Sequence, residues 1–599
     1  MVRQWPRLSG ATRPNKTSTE AGLVTSPPPL IYEGDSQRRR FRVVGADTVT
    51  AERVKREQYM ISGSDLWPLD VCEAMYDDGH GTFAYRQVVR RPCDYVWRAC
   101  TRTPRTVALE DDWGTRLTFA QYEAESRSTA QLLVSVGVRR GVRVGLLMDN
   151  SVEFAVSFMA INACGGTTCP LPGKYRDEEL VRLIDKAGMS VLLVEDERAD
   201  ALKDAAQASS SSLPPMLRCV RGQNGNASWV LDTFESRERL VRRDPPEDDV
   251  AILMFTSGTT AESKGVRLTN RAVVHAAEVY RATLGVNNSD TCLVATPLYH
   301  ITGLVAIIAL MAAVGGRLLI QRRLAADLFL TAIEAEQVTF VHASPSVFTV
   351  LEQARQRHPR LDSVRMLACG AAHMPVTLIR ALHEWMPQMQ FRTVYGLTET
   401  TSPATIMPVD AATSDKIGSS GIVVPGLDLS IRDTNGVEVP IGQTGEVFLR
   451  GTNITIGYDS IEGGGLVDGE WLATGDVGRI DEDGYLFVVD RIKDIVNRGG
   501  EKVCCVDVEE ALRSVLGITD AAVVAAPHEV YGEVPVAVVV LDDTVEVTLD
   551  GMRGDLLDVL AHHEMPTAVR IVEEIPLTLG GKVDKRLIQA CFDSLGRPL

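Results

Sequence analysis

From about residue 95 to about residue 489, apolar runs alternate with amphipathic helix patterns, and no other feature constrains this chain as tightly. Residues 141–148 (GVRVGLLM) read as a buried strand and 152–164 as a helix. Residues 167–171 read as a further strand, 177–187 as a helix and 191–194 as a strand. Strands of that kind, separated by helices, require parallel sheets covered by helices, because a crossover must return the chain before the next parallel strand can start. Past Arg491 the pattern shortens to a helix at 507–516, strands at 521–526 and 534–541, a helix near 551–562 and a strand at 567–572. The expected fold is therefore α/β. A large N-terminal domain of stacked mixed or parallel sheets covered by helices spans 91–489, and a small, mobile α+β C-terminal domain spans 490–599. Residues 1–90 carry neither period and read as an irregular extension, and 209–215 reads as a surface loop.

A chain of 599 residues with 45% hydrophobic and 24% charged residues can bury a sizeable core, which excludes a mainly disordered polymer. Lys+Arg 62 against Asp+Glu 79 gives a net charge of −17, a field that repels nucleic acid and anionic membrane surfaces. The 11 cysteines show no paired spacing, and Cys504-Cys505 reads as packing rather than as a zinc site. That usage suits a reducing, cytoplasmic setting. The first 30 residues are basic and rich in Ser and Thr, which leaves organellar import open beside a plain tail. Residues 291–316 contain no Asp, Glu, Lys or Arg, but Pro297, Tyr299, His300 and Thr302 break the run. The apolar part, 301–314, has the length of a buried core helix, so no transmembrane segment is expected.

Five short motifs could carry chemistry. Met254-Phe-Thr-Ser-Gly-Thr-Thr-Ala-Glu-Ser-Lys-Gly-Val266 runs from an apolar strand into a loop of hydroxyls and glycine ending in a lysine. Inward backbone N–H groups, hydroxyl donors and a point charge suit a polyphosphate, although the spacing is not that of a Walker A box. Tyr395-Gly-Leu-Thr-Glu-Thr400 follows an apolar run, and Thr474-Gly-Asp476 opens a turn. Asp490-Arg-Ile-Lys-Asp-Ile-Val-Asn-Arg-Gly-Gly500 marks the change of domain, and Pro576-Leu-Thr-Leu-Gly-Gly-Lys-Val583 lies near the C-terminus.

In order and residue type these motifs resemble those of the adenylate-forming enzymes, the superfamily of acyl- and aryl-CoA synthetases, nonribosomal peptide adenylation domains and luciferases. The resemblance covers roughly residues 90–595, and Pro297-Leu-Tyr-His300 with Asn497-Arg-Gly-Gly-Glu501 is most similar to the AMP-dependent CoA-ligase branch. It implies that ATP and a small-molecule carboxylic acid give an acyl-adenylate, after which a thiol displaces AMP. That thiol would belong to CoA or to the phosphopantetheine of a carrier protein. By resemblance, Thr256, Ser257, Gly258, Thr259, Thr260 and Lys264 hold phosphates, Thr398 contacts the α-phosphate and Glu399 binds Mg²⁺. Gly370, Ala371 and Ala372 lie along adenine, Tyr395 stacks on it with Gly396 beside it in the cofactor site, Asp476 accepts the ribose hydroxyls and Arg491 assists. Lys582 bridges the carboxylate and the α-phosphate, Lys493 is the hinge of a domain rotation, and Gly499-Gly500 leaves room for a pantetheine arm. His300 gates an acyl pocket expected to involve Tyr299, Ile301, Thr302, Gly303, Leu304 and Ala368. That set is mostly small or apolar, which favours a fatty or aryl acid.

One departure stands out. The family usually reads S-G-T-T-G-x-P-K-G, and here Ala261 replaces a glycine and Ser263 a proline, with Glu262 adding negative charge. If that glycine needs a positive φ, alanine costs on the order of 1 kcal/mol. A catalytically inactive homologue acting as a binding protein is thus a further reading, against which Lys264, Glu399, Asp476 and Lys582 are all retained.

Overall fold

The computed structural model describes residues 60–72, 75–77, 83–86, 89–222, 227–232, 249–256, 264–459, 465–542, 549–557, 559–577 and 583–593. Two large sheets form its framework. In the smaller, of seven strands, Arg143–Leu147 lies between Thr167–Pro170 and Val191–Glu195, parallel to both. The other has fourteen strands, and its parallel centre runs Arg317–Ile320, Thr291–Val294, Phe340–Ala343, Met366–Cys369 and Gln390–Tyr395.

Helices occupy three layers around these two sheets. Val152–Ala163 is apolar all round and buries 11 of its 12 residues, which places it inside, where it touches strands of both sheets. The Ser151 hydroxyl caps it by accepting from the Phe154 N–H at 3.2 Å. Asn270–Leu284 shares this middle layer, and the main apolar cluster runs through it from Leu146 and Ile252 to Ala368 and Leu449. Outside the seven-stranded sheet, Asp177–Lys186 and Asp196–Ala208 cover Leu192 and Val194. Outside the other, Ala326–Glu336, Pro345–Gln353 and Val376–Trp385 cover Val341 and Leu367. The stacked, helix-covered α/β architecture expected from the alternation is the one found.

The 301–314 run is a buried helix as expected, but of unexpected winding: Thr302–Ala309 is a π-helix that passes into the α-helix Leu310–Val314. Among the described residues no helix is long and apolar enough to cross a membrane. Residues 209–215 form no helix or strand.

Residues 1–59, 73–74, 78–82 and 87–88 lie outside the described residues, but the structure corrects the described part of the expected irregular extension. Met60–Ser62 is a strand antiparallel to Leu427–Arg432 and closes one end of the fourteen-stranded sheet. Gly63 follows where a Cβ would sit 1.9 Å from the Val424 carbonyl oxygen, so only glycine fits that approach. Trp67 then donates its indole N–H to the Val423 carbonyl at 2.9 Å, and Met75–Asp77 pairs with Phe83–Tyr85. Strands of three residues are too short to show a period, which is why the sequence pattern missed them.

At the C-terminal end a separate five-stranded sheet is built around Ile518–His528 and Gly532–Leu541, with the helix Cys505–Ser514 packed on it. Its apolar residues form two clusters of their own. The 507–516, 521–526, 534–541 and 567–572 expectations correspond to Cys505–Ser514, Ile518–His528, Gly532–Leu541 and Ala568–Ile571, and the helix near 551–562 to Leu549–Leu557. All 11 cysteines are free, and Cys505 is buried with its thiol on the Asp494 carbonyl at 3.2 Å.

Candidate active site

The C-terminal ends of the parallel strands Phe340–Ala343, Met366–Cys369 and Gln390–Tyr395 lie side by side, and ligands of open α/β sheets gather at such ends. Tyr395 is the last residue of its strand, and its hydroxyl donates to Asp476 Oδ2 at 2.7 Å. Asp476 is 3% exposed, and its other oxygen, Oδ1, takes Arg491 Nε at 2.9 Å. Asp476 and Arg491 are opposed residues on the antiparallel strands Leu472–Ile480 and Tyr485–Arg491. Each carboxylate oxygen keeps acceptor capacity beyond these bonds, so the group stays able to take hydroxyl donors. Burial first, and the Asp476 carboxylate beside it, push the Tyr395 phenol well above its usual value.

Glu399 stands on the short 3₁₀ turn Thr398–Thr400, and its Oε1 accepts from the Tyr458 hydroxyl at 3.0 Å. Lys264 Nζ lies 5.2 Å from the centre of the same tyrosine ring. Lys264 is placed by a chain of contacts: Gly265 O accepts from the Asp459 N–H at 2.6 Å, and Arg143 grips the Asp459 carboxylate with both terminal nitrogens at 2.7 and 3.0 Å. Thr256 pairs with Lys264 across an antiparallel ladder. Ser257, Gly258, Thr259 and Thr260, with the departures Ala261 and Ser263, lie outside the described residues. So does Lys582, which falls between Leu577 and Val583, residues that pair with each other.

Among the described residues no three His, Cys, Asp or Glu side chains converge into a metal cage. The single carboxylate of Glu399 fits a hard cation held mainly by phosphate oxygens and water, as Mg²⁺ usually is.

The segment after Met366–Cys369 is strained. A Cβ on Gly370 would sit 2.9 Å from the Val394 carbonyl oxygen, and Ala371 adopts φ +74°, a left-handed conformation rare for alanine. Ala371 and Ala372 are exposed along this rim. The neighbouring His373 Nε2 sits 3.0 Å from Glu510 Oε1 on the C-terminal helix.

Three polar side chains that no motif flagged hold the site in shape. Asn453 donates its side-chain amide to the Thr400 and Pro403 carbonyls at 2.9 and 2.7 Å, and its backbone carbonyl accepts from the Thr401 hydroxyl at 2.7 Å. The Tyr280 hydroxyl pairs with the Ser402 hydroxyl at 2.8 Å. Asn150 donates to the Thr296 carbonyl and accepts from the Leu298 N–H, fixing the segment that ends in Tyr299-His300. Their partners are mostly backbone groups of residues distant in sequence, which leave no local pattern.

Of the expected acyl-pocket residues, Tyr299, Ile301, Leu304 and Ala368 are buried in one apolar cluster. His300 is half-buried, its ring 4.5 Å from that of Tyr299. Thr302 and Gly303 begin the π-helix. Gly303 is glycine for packing, since a Cβ would sit 2.6 Å from Leu298 Cα.

Gly499 and Gly500 form the two-residue turn of the hairpin Val496–Arg498/Glu501–Val503, with φ +63° and +104°. Such turns demand positive φ at both positions, so hairpin geometry alone accounts for both glycines. Lys493 sits in the turn that follows Arg491, and Ile492 N–H donates to the Gly475 carbonyl at 2.9 Å.

A family model for AMP-binding enzymes matches residues 96–459, and one for the AMP-binding enzyme C-terminal domain matches 507–582. Feruloyl-CoA synthase of an Amycolatopsis species is 31% identical over 509 residues, 83% of this chain and 98% of that protein. The long-chain-fatty-acid–CoA ligase FadD13 of Mycobacterium tuberculosis is 29% identical over 511 residues, 82% of this chain and 97% of its own length. Among solved structures, ATP-bound MatB of Rhodopseudomonas palustris is similar with a TM-score of 0.74 at 25% identity, covering 84% of this chain and all of that one. With a family model spanning more than half its length and relatives that are acyl- and aryl-CoA ligases, the chain belongs to the AMP-binding, adenylate-forming enzymes.

Proposed function

We propose that this protein is an ATP-dependent, AMP-forming acid:CoA ligase that activates a hydrophobic fatty or aryl carboxylic acid. In the first step a carboxylate oxygen attacks the α-phosphorus of ATP and pyrophosphate leaves. In the second, the CoA thiol attacks the acyl carbon, and AMP leaves with the bonding electrons as the thioester forms.

One observation carries the reading: Asp476, Tyr395 and Arg491 form one bonded cluster at the strand ends, and Glu399, Tyr458 and Lys264 form another. The first suits a nucleoside, with ring stacking on Tyr395 and sugar hydroxyls on Asp476. The second sets a cation and a carboxylate where a polyphosphate needs both a point charge and a metal ligand. Mg²⁺ on Glu399 would supply charge neutralisation between two anions.

In this proposal Thr256 through Thr260 hold the phosphates, Thr398 contacts the α-phosphate, and Lys582 bridges it to the substrate carboxylate. Gly370 to Ala372 and Gly396 flank adenine. Lys493 is the hinge about which the 490–599 domain turns, and Gly499-Gly500 borders the thiol's path. His300 gates the acyl pocket. The −17 net charge makes Lys264, Arg491 and Lys582 the local means of tolerating ATP. A cytoplasmic setting, where ATP and CoA are at hand, fits this chemistry.

Acid-dependent release of pyrophosphate from ATP, followed by thioester formation with CoA, tests the proposal. Release without an acid requirement, or none with any acid in a broad panel, overturns it. A thioester formed only on a carrier-protein phosphopantetheine replaces CoA as the acceptor.

A further inference from the structure

Two fully enclosed histidines lie between the sheets, and they are not alike. His275, on Asn270–Leu284, accepts the Tyr85 N–H at Nδ1 and therefore carries its proton on Nε2, which faces the Pro425 carbonyl at 3.0 Å. His342, on Phe340–Ala343, is 2% exposed, and neither of its ring nitrogens has a partner among the described residues. Its ring meets the edge of Tyr280 with centroids 5.8 Å apart, while the Tyr280 hydroxyl is committed to Ser402. A buried imidazole with nothing to bond is costly and calls for an occupant.

The ladder says where that occupant would lie. His342 is in register with Ala368 on the neighbouring parallel strand, so both side chains leave the same face of the sheet. Phe340 and Ala368 pack in the cluster between the sheets, whereas Val341 and Leu367 pack on the outer side. His342 therefore faces the space between the sheets, on the same side as Ala368, an expected lining residue of the acyl pocket, and against Tyr280. Ala368 sits two residues behind Gly370, about 6–7 Å down the strand from the rim where the acid would react.

An imidazole that burial holds neutral, its pKa lowered to about 4, offers one donor and one acceptor. A hydroxyl complements either nitrogen, and an aryl ring carries one to that depth without the ordering cost of a flexible chain. Resting on the ligase reading above, we propose that His342 is a specificity-determining residue that hydrogen-bonds a hydroxyl on the tail of the acid, selecting hydroxylated aryl acids over their unhydroxylated or methylated analogues.

The test compares kcat/KM for matched pairs, 4-hydroxybenzoate with 4-methylbenzoate and 4-hydroxycinnamate with 4-methylcinnamate, in the wild type, His342→Leu and His342→Gln. A site built around a hydroxyl rejects the analogue lacking it, so the wild type should favour one hydroxylated acid by about 10- to 100-fold. In His342→Leu that ratio should collapse towards one while turnover of the methyl acid persists, and His342→Gln should recover part of it. A ratio that His342→Leu leaves unchanged marks a merely structural histidine and overturns the inference. Should His342→Leu fail to fold, the wild-type ratio decides, since a value near one in both pairs is equally fatal. Activity on all four acids without preference sinks this inference alone, whereas no pyrophosphate release with any acid sinks the ligase reading and this with it.

Discussion

Asp476 is enclosed, yet both its oxygens reach bonding partners, one from a tyrosine and one from an arginine. A carboxylate held so rigidly presents its spare lone pairs in fixed directions, which is what recognition of a vicinal diol requires. Asp476→Ala should lower kcat/KM for ATP by about 10- to 100-fold, the scale of hydrogen bonds to a charged group, read from steady-state pyrophosphate release. Tyr395→Phe keeps the ring and should cost less than Asp476→Ala in the same assay. The buried histidines carry a different signature. Burial lowers both His275 and His342 to about 4, against about 6.5 in the unfolded chain. Unfolding therefore takes up protons between those values, and stability is full above pH 6.5 and lost progressively as pH falls towards 4. At pH 5 each histidine should cost on the order of 2 kcal/mol, so the melting temperature should drop from pH 7.5 to pH 5. His342→Leu should drop less over the same interval, and equal drops would show that His342 does not titrate as described.

The loop from Leu397 to Ala404 takes its shape from outside itself. Asn453 is fully enclosed and bonds three backbone or hydroxyl groups of that loop, so Asn453→Ala leaves two carbonyls without donors. A loss of about 1–3 kcal/mol in denaturant unfolding is expected, with activity falling further because Glu399 rides on the same loop. Unchanged stability would mean that water replaces the amide. Legibility of the chain divides along this line. Tyr395, Glu399 and Asp476 stood out through motifs that resemble those of a known family, and the structure brings Tyr395 and Asp476 into contact. Asn150, Asn453 and Tyr280 did not stand out, since each serves backbone or hydroxyl groups more than a hundred residues away or in a different element. The strand Arg143–Leu147 and the helix Val152–Ala163 fell within two residues of expectation because each is a largely apolar run bounded by glycine or polar turn residues. The winding of Thr302–Ala309 was invisible, as TGLVAIIA is equally apolar as an α- or a π-helix. Gly499-Gly500 shows the converse hazard, since the hairpin needs both glycines whatever passes beside them.

Across the molecule, the helix Cys505–Ser514 meets the rim that follows Met366–Cys369 through His373 and Glu510. Burial raises the Glu510 carboxyl, but bonds from His373 and Arg513 outweigh it and leave the group below its usual value. That contact is thus strongest with Glu510 ionised and is lost in acid, and under the proposed turning of the 490–599 domain His373→Ala should shift its balance of orientations, read as a change in kcat with little change in KM for the acid. The strand Met60–Ser62 bears on a more practical matter, the choice of where to begin the chain for expression. The family match starts at Val96, and a boundary drawn there looks natural. It would strip the cover from Asp428–Ser430, the three residues of the strand Leu427–Arg432 that Met60–Ser62 pairs with, leaving their backbone donors and acceptors as a template for a second molecule. A protein begun at Met60 should elute as one species in size-exclusion chromatography, and one begun at Pro92 should aggregate. Gly63 sets the boundary, since no larger residue could let the chain pass so near Val424 and shield that edge.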